Sequence, residues 1–163
     1  MKLKTLISIK VFNELCDSTF SFLHNQNEIF TEVVNKNKVK EIIFDSELDF
    51  DSFGNHKFMF NWNSKDDCAN KWFELDKIIV NGHNLPIHTI RVIPYKNNYI
   101  NELCSTEEGQ QKFKQITMYP GSRHGWYGDH EINFDVGDMP YFKKLSAYSL
   151  SSYIGIKRDR VYV

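Results

Sequence analysis

Apolar residues recur along this chain with two different periods, and the change between them sets the expected elements. In the first third, Phe20, Leu23, Asn27, Phe30 and Val34 fall at three- and four-residue steps, with Asp17 or Ser18 as a candidate N-cap. That spacing predicts a helical face. Leu6, Ile9, Phe12 and Leu15 fit an earlier helical turn, while Ile7, Ile9 and Val11 fit one face of a strand equally well. After Lys40 the period becomes two. Ile42-Ile43-Phe44 leads into Asp45-Ser46-Glu47-Leu48-Asp49-Phe50-Asp51, and Phe58, Phe60 and Trp62 alternate with polar neighbours. Ser52-Phe53-Gly54-Asn55 supplies turn chemistry between the two runs, which predicts a β-hairpin.

Further along, Asp66 to Leu75 reads as a short helix capped by Ser64 or Asp66. Lys77 to Val80 and Ile87 to Ile93 read as strands joined through Asn81-Gly82-His83-Asn84-Leu85-Pro86. Asn97 to Phe113 reads as two short helices divided at Gly109, and Glu131 to Val136 as a strand. Tyr148, Leu150, Ser152, Ile154 and Ile156 alternate as in another strand. No repeat or Pro/Gly-rich linker interrupts the chain, so residues 1–163 are expected to form one domain. The expected fold class is α+β: an antiparallel β-sheet with an N-terminal helical segment and short helices packed on one face.

Composition narrows the function classes. With 163 residues, 41% of them hydrophobic, a core is possible without metal or disulfides. Lys+Arg is 20 against Asp+Glu 21, so no global field favours nucleic acid or an anionic membrane. No apolar run reaches the roughly 20 residues that span a bilayer. Cys16, Cys68 and Cys104 lie far apart and in no C-x-x-C pair, which fits buried, reduced thiols and a cytoplasmic location. Lys10 and Glu14 interrupt the apolar stretch after the basic start, so the N-terminal segment reads as mature structure rather than a targeting peptide.

Histidines are the first candidates for chemistry. Arg123-His124-Gly125-Trp126-Tyr127-Gly128-Asp129-His130-Glu131 gathers imidazoles and carboxylates, and His83 and His88 flank a turn that could join them. Such a set suits a divalent metal and a small metal-dependent hydrolase. The two glycines mark a loop whose spacing enforces no geometry, and solvated loop histidines are the plainer reading. No G-x-S-x-G elbow, phosphate-cradling glycine loop or reactive-cysteine context is present, so no catalytic residue, metal site or cofactor is assigned.

The acidic run is the other candidate. Asp45, Glu47, Asp49 and Asp51 recur at every second residue, with Phe44, Leu48 and Phe50 between them. On a strand the carboxylates would share one face about 6.5–7 Å apart, close to the phosphate spacing of a nucleic-acid strand. The plain alternative is a solvated edge whose charges prevent aggregation. With its size, its Lys/Asn/Ile-rich composition and this stripe, the chain resembles bacterial toxin-immunity proteins of the contact-dependent growth-inhibition type. The resemblance implies a non-enzymatic inhibitor of a cognate, basic protein partner such as a nuclease toxin, with no direct nucleic-acid or membrane contact. The expected partner-binding residues are Asp45, Glu47, Asp49 and Asp51, with Phe53, Trp62, Trp126 and Tyr127 as aromatic anchors.

Overall fold

The computed structural model describes residues 1–62, 70–85, 87, 91–94, 104–116, 123–124, 128–138 and 153–156. These residues form two β-sheets. The first, sheet A, runs in the order β4 (Lys38–Asp49), β1 (Lys2–Asn13), β6 (Lys71–Val80) and β7 (His83–Asn84), with β9 (Arg123–His124) also on β6. Sheet B runs β11 (Tyr153–Ile156), β10 (Gly128–Asp138), β5 (Gly54–Trp62), β2 (Ser18–His24) and β3 (Asn27–Val34), with β8 (Arg91–Pro94) also on β10. All the pairings are antiparallel except β10 with β11.

Period-two burial explains why these segments are strands. Along β1 the odd positions Leu3, Ile7, Ile9 and Val11 are buried; along β5 the even positions Phe58, Phe60 and Trp62 are. On β6 the register with β1 shifts between Ser8 and Ile9, leaving Asp76 as the extra residue. That bulge switches parity, so Phe73, Leu75, Ile78 and Val80 all reach the core. The core lies between the sheets, where Phe20 and Phe60 of sheet B meet Phe73 of sheet A at 5.2 and 6.1 Å between centroids. Two tight turns use left-handed backbone: Asn25-Gln26 joins β2 to β3, and Asn81-Gly82 joins β6 to β7.

This architecture corrects the expected α+β class. The N-terminal third is strand, not helix: Phe20, Phe22 and His24 face inward at every second position, and the three- and four-residue spacing through Phe30 and Val34 is coincidental. Asp17 and Ser18 cap nothing; the Asp17 carboxylate accepts the Lys36 N–H, and the Ser18 hydroxyl accepts from the Asn13 amide. What covers the apolar face of one sheet is the other sheet, so the expected layer of helices on one face is overturned. The toxin–antitoxin assignment has no support in this fold.

Other expectations change with it. The anticipated hairpin of residues 42–62 is a crossing, because β4 pairs with β1 in sheet A while β5 pairs with β2 and β10 in sheet B. Lys71 to Leu75, read as helix, belong to β6, and residues 63–69 lie outside the described residues. Gly109 does not divide two helices. It sits in the first turn of a single one, α1 (Glu107–Ile116), where its N–H donates to Thr106 Oγ1 at 3.1 Å.

Candidate functional site

The acidic run falls on β4, an edge strand of sheet A among the described residues. Even-numbered Ile42, Phe44 and Leu48 turn toward the core; odd-numbered Val39, Glu41, Ile43, Asp45, Glu47 and Asp49 are exposed. The expected common face of Asp45, Glu47 and Asp49 is present, and it also carries two apolar side chains. Ile43 is 64% exposed and Val39 58%. Asp51 lies past the end of β4, in the crossing to β5, and is not part of the strand row.

The neighbouring strand complements this row. Cross-strand partners on the same face are Lys2 for Asp49, Lys4 for Glu47 and Lys10 for Glu41. Lys4 Nζ lies 3.6 Å from Asp45 Oδ1, and the Met1 amino group lies 3.0 Å from Asp49 Oδ1. Glu47 makes no ion pair among the described residues. The stripe is therefore half of a cross-strand charge ladder, and its field is weaker than four bare carboxylates would give.

On the same face, Phe12 and Trp72 stack at 5.6 Å, and the Arg123 guanidinium lies 4.3 Å from the centre of the Trp72 ring. Arg123 also donates from Nη2 to Glu74 Oε2 at 2.8 Å. Of the expected aromatic anchors, Trp62 is closed to a partner: it is 2% exposed and packs edge-on against Phe20 in the core. Phe53 is exposed in the crossing between the sheets. Trp126 and Tyr127 lie outside the described residues.

The histidines are not solvated loop residues. His124 on β9 and His130 on β10 are both buried, with rings 5.2 Å apart, and both pack on Phe73. His83 stands apart on β7 beside Val80, and His88 lies outside the described residues. Among the described residues no group of three or more His, Cys, Asp or Glu side chains has metal-holding geometry.

A second buried pair, His24 and His56, escaped sequence reasoning. His56 Nε2 lies 2.9 Å from the Ser52 carbonyl, to which it donates, so its Nδ1 is the acceptor. That nitrogen receives the Asn25 amide at 3.0 Å and His24 Nε2–H at 3.1 Å. Burial, first, and then the neighbouring His56 hold the His24 pKa down at about 4, against a smaller upward pull from Asp51. The signal that could have found three of these four histidines is parity. His24 is in phase with Phe20 and Phe22, His56 with Phe58 and Phe60, and His130 with Ile132 and Phe134.

No protein-family model and no curated protein matches the sequence. Among solved structures, the chain is similar to vCBM60 in complex with galactobiose, at 12% identity and a TM-score of 0.41, over 80% of this chain and 97% of that one. It is also similar to a selenomethionine form of vCBM60, from work linking two families of calcium-dependent carbohydrate binding modules by circular permutation. There the identity is 12% and the TM-score 0.40, over 78% of this chain and 88% of that one. At that level of likeness the two-sheet architecture stands on the chain's own strand pairing. Among the described residues, no helix is long and apolar enough to cross a membrane.

Proposed function

We propose that the protein is a non-catalytic binder that holds a basic protein partner along the outer face of β4. The observation that carries this reading is the exposed row of Asp45, Glu47 and Asp49 on one edge strand, interleaved with exposed Ile43. A mixed apolar and acidic row of this kind suits a partner whose lysines and arginines alternate with small apolar groups. The Lys2 and Lys4 side chains opposite the row limit long-range attraction, so selectivity comes from contact geometry more than from net field. His124 and His130 are buried against Phe73, which favours binding over the hydrolase alternative built on His83, His88, His124 and His130.

The test compares proteins captured from source-cell lysate by wild type and by Glu47→Gln with Asp49→Gln. A control changes Glu28→Gln with Asp135→Asn, which alters net charge equally on the other sheet. Neutralising the β4 pair should weaken capture of a basic protein about tenfold, mainly through faster dissociation, because contact pairs rather than long-range steering are lost. Equal capture by the β4 variant and the control would show that the partner-binding face is elsewhere.

A further inference from the structure

β4 offers more than its side chains. It pairs with β1 along its whole length, and among the described residues no strand pairs with its other side. The direction of its backbone groups follows from two bonds. Phe50 N–H donates to the Met1 carbonyl at 2.7 Å, so even positions of β4 exchange hydrogen bonds with β1. The Lys4 carbonyl accepts from Asn81 N–H on the β6 side at 2.8 Å, which leaves its cross-strand partner Glu47 unbonded to β1. Odd positions Val39, Glu41, Ile43, Asp45 and Glu47 thus turn their N–H and C=O groups toward the open edge.

We infer that β4 takes up an extended strand of another protein as an added edge strand of sheet A, one that alternates basic residues with small or apolar ones. This rests on the partner-binding reading above and names its mode. The open backbone would supply hydrogen bonds along the strand, and the exposed Ile43 and Val39 would cover apolar side chains of the incoming segment. The odd-numbered carboxylates then choose its sequence, since directly opposed unlike charges stabilise a strand pair and like charges oppose it.

The same rule weighs against a second copy of this chain. Antiparallel self-pairing centred on Ile43 sets Glu41 against Asp45; centred on Asp45 or Glu47, it sets that carboxylate against itself. In these registers the carboxylates oppose self-pairing of the twelve-residue edge while favouring a basic strand.

The experiment uses the full chain and three probes: a short peptide alternating lysine and threonine, the same peptide N-methylated at alternate backbone nitrogens, and one alternating glutamate and threonine. Amide exchange is followed by NMR at Ile43, Asp45 and Glu47. The basic peptide should protect these amides, and the glutamate peptide should not. The methylated peptide should bind about tenfold more weakly or worse, because it keeps the charge and loses the hydrogen bonds. Ile43→Pro removes an edge-facing N–H without touching the β1 ladder and should abolish the protection. Equal binding of the methylated and unmethylated basic peptides would overturn strand addition while leaving the acidic-face reading intact; this arm holds even if Ile43→Pro does not fold. Binding by neither basic peptide would overturn both. A concentration-dependent dimer with the β4 amides protected would make a second copy the occupant and overturn the inference.

Discussion

At the scale of single residues, His24 links burial to acid sensitivity. Its imidazole is buried, 4.4 Å from the Phe50 ring, and lies beside His56; burial first, and then that neighbouring imidazole, hold it neutral, with a pKa near 4 instead of its ordinary 6.5. Between those values the unfolded chain binds a proton that the folded chain excludes. Stability contributed by neutral His24 is therefore full above pH 6.5, falls as the pH drops toward 4, and stays lost below it. From pH 6.5 down to about 4 this loss is on the order of 3 kcal/mol. Urea midpoints of wild type and His24→Phe at pH 7 and pH 4.5 test this, the subtraction removing carboxylate titrations common to both. Over this range wild type should lose more stability than His24→Phe does, the difference reaching at most that amount. Parallel losses would mean that His24 titrates freely in the folded protein. The buried histidines were legible only through parity, and Gly125 and Gly128 beside His124 and His130 drew attention to loop character instead.

At the scale of elements, the β1–β4 pair shows what strand reading captures and what it omits. Period two correctly put Asp45, Glu47 and Asp49 on one side, because alternation is a property of the single strand. It could not say which strand lies alongside, and that neighbour reverses a consequence. Viewed alone, the row is self-repelling, so changing Glu47→Lys with Asp49→Lys is expected to leave the fold unharmed or slightly more stable. Opposite Lys4 and Lys2 the same change sets lysine against lysine twice. Each like pair costs about 0.2–1 kcal/mol, so the double variant should be destabilised by about 1 kcal/mol. Adding Lys2→Glu and Lys4→Glu restores unlike pairs in the swapped sense and should recover the loss. Thermal melts of the three proteins decide the matter; a double variant as stable as wild type would show that the ladder contributes nothing.

For the whole molecule, the decisive feature is that the chain alternates between sheets rather than meandering through one. β1 lies in sheet A, β2 and β3 in B, β4 in A and β5 in B. Local patterning marks an apolar face that must be covered, but a helix layer and a second sheet satisfy that demand equally, and most sequence-adjacent strands do pair. The α+β expectation failed at that point. The crossing from β4 to β5 is one of the places where the two sheets are tied. Phe50 is fully buried there, against His24, His56, Phe58 and Phe134 of sheet B, while its backbone still bonds to Met1 of sheet A. Phe50→Ala should therefore cost about 3–5 kcal/mol, the range for a large aromatic removed from a closed core. On the same strand, Ile43→Thr removes an exposed apolar group and should stay within about 0.5 kcal/mol. Denaturant titration gives both values, and hydrogen exchange adds a spatial reading: Phe50→Ala should speed exchange along β4 and β5 together. If the two substitutions cost the same, or exchange quickens in only one of the strands, the Phe50 side chain does not couple the sheets at this crossing. The β4 edge would then be held in place by β1 alone.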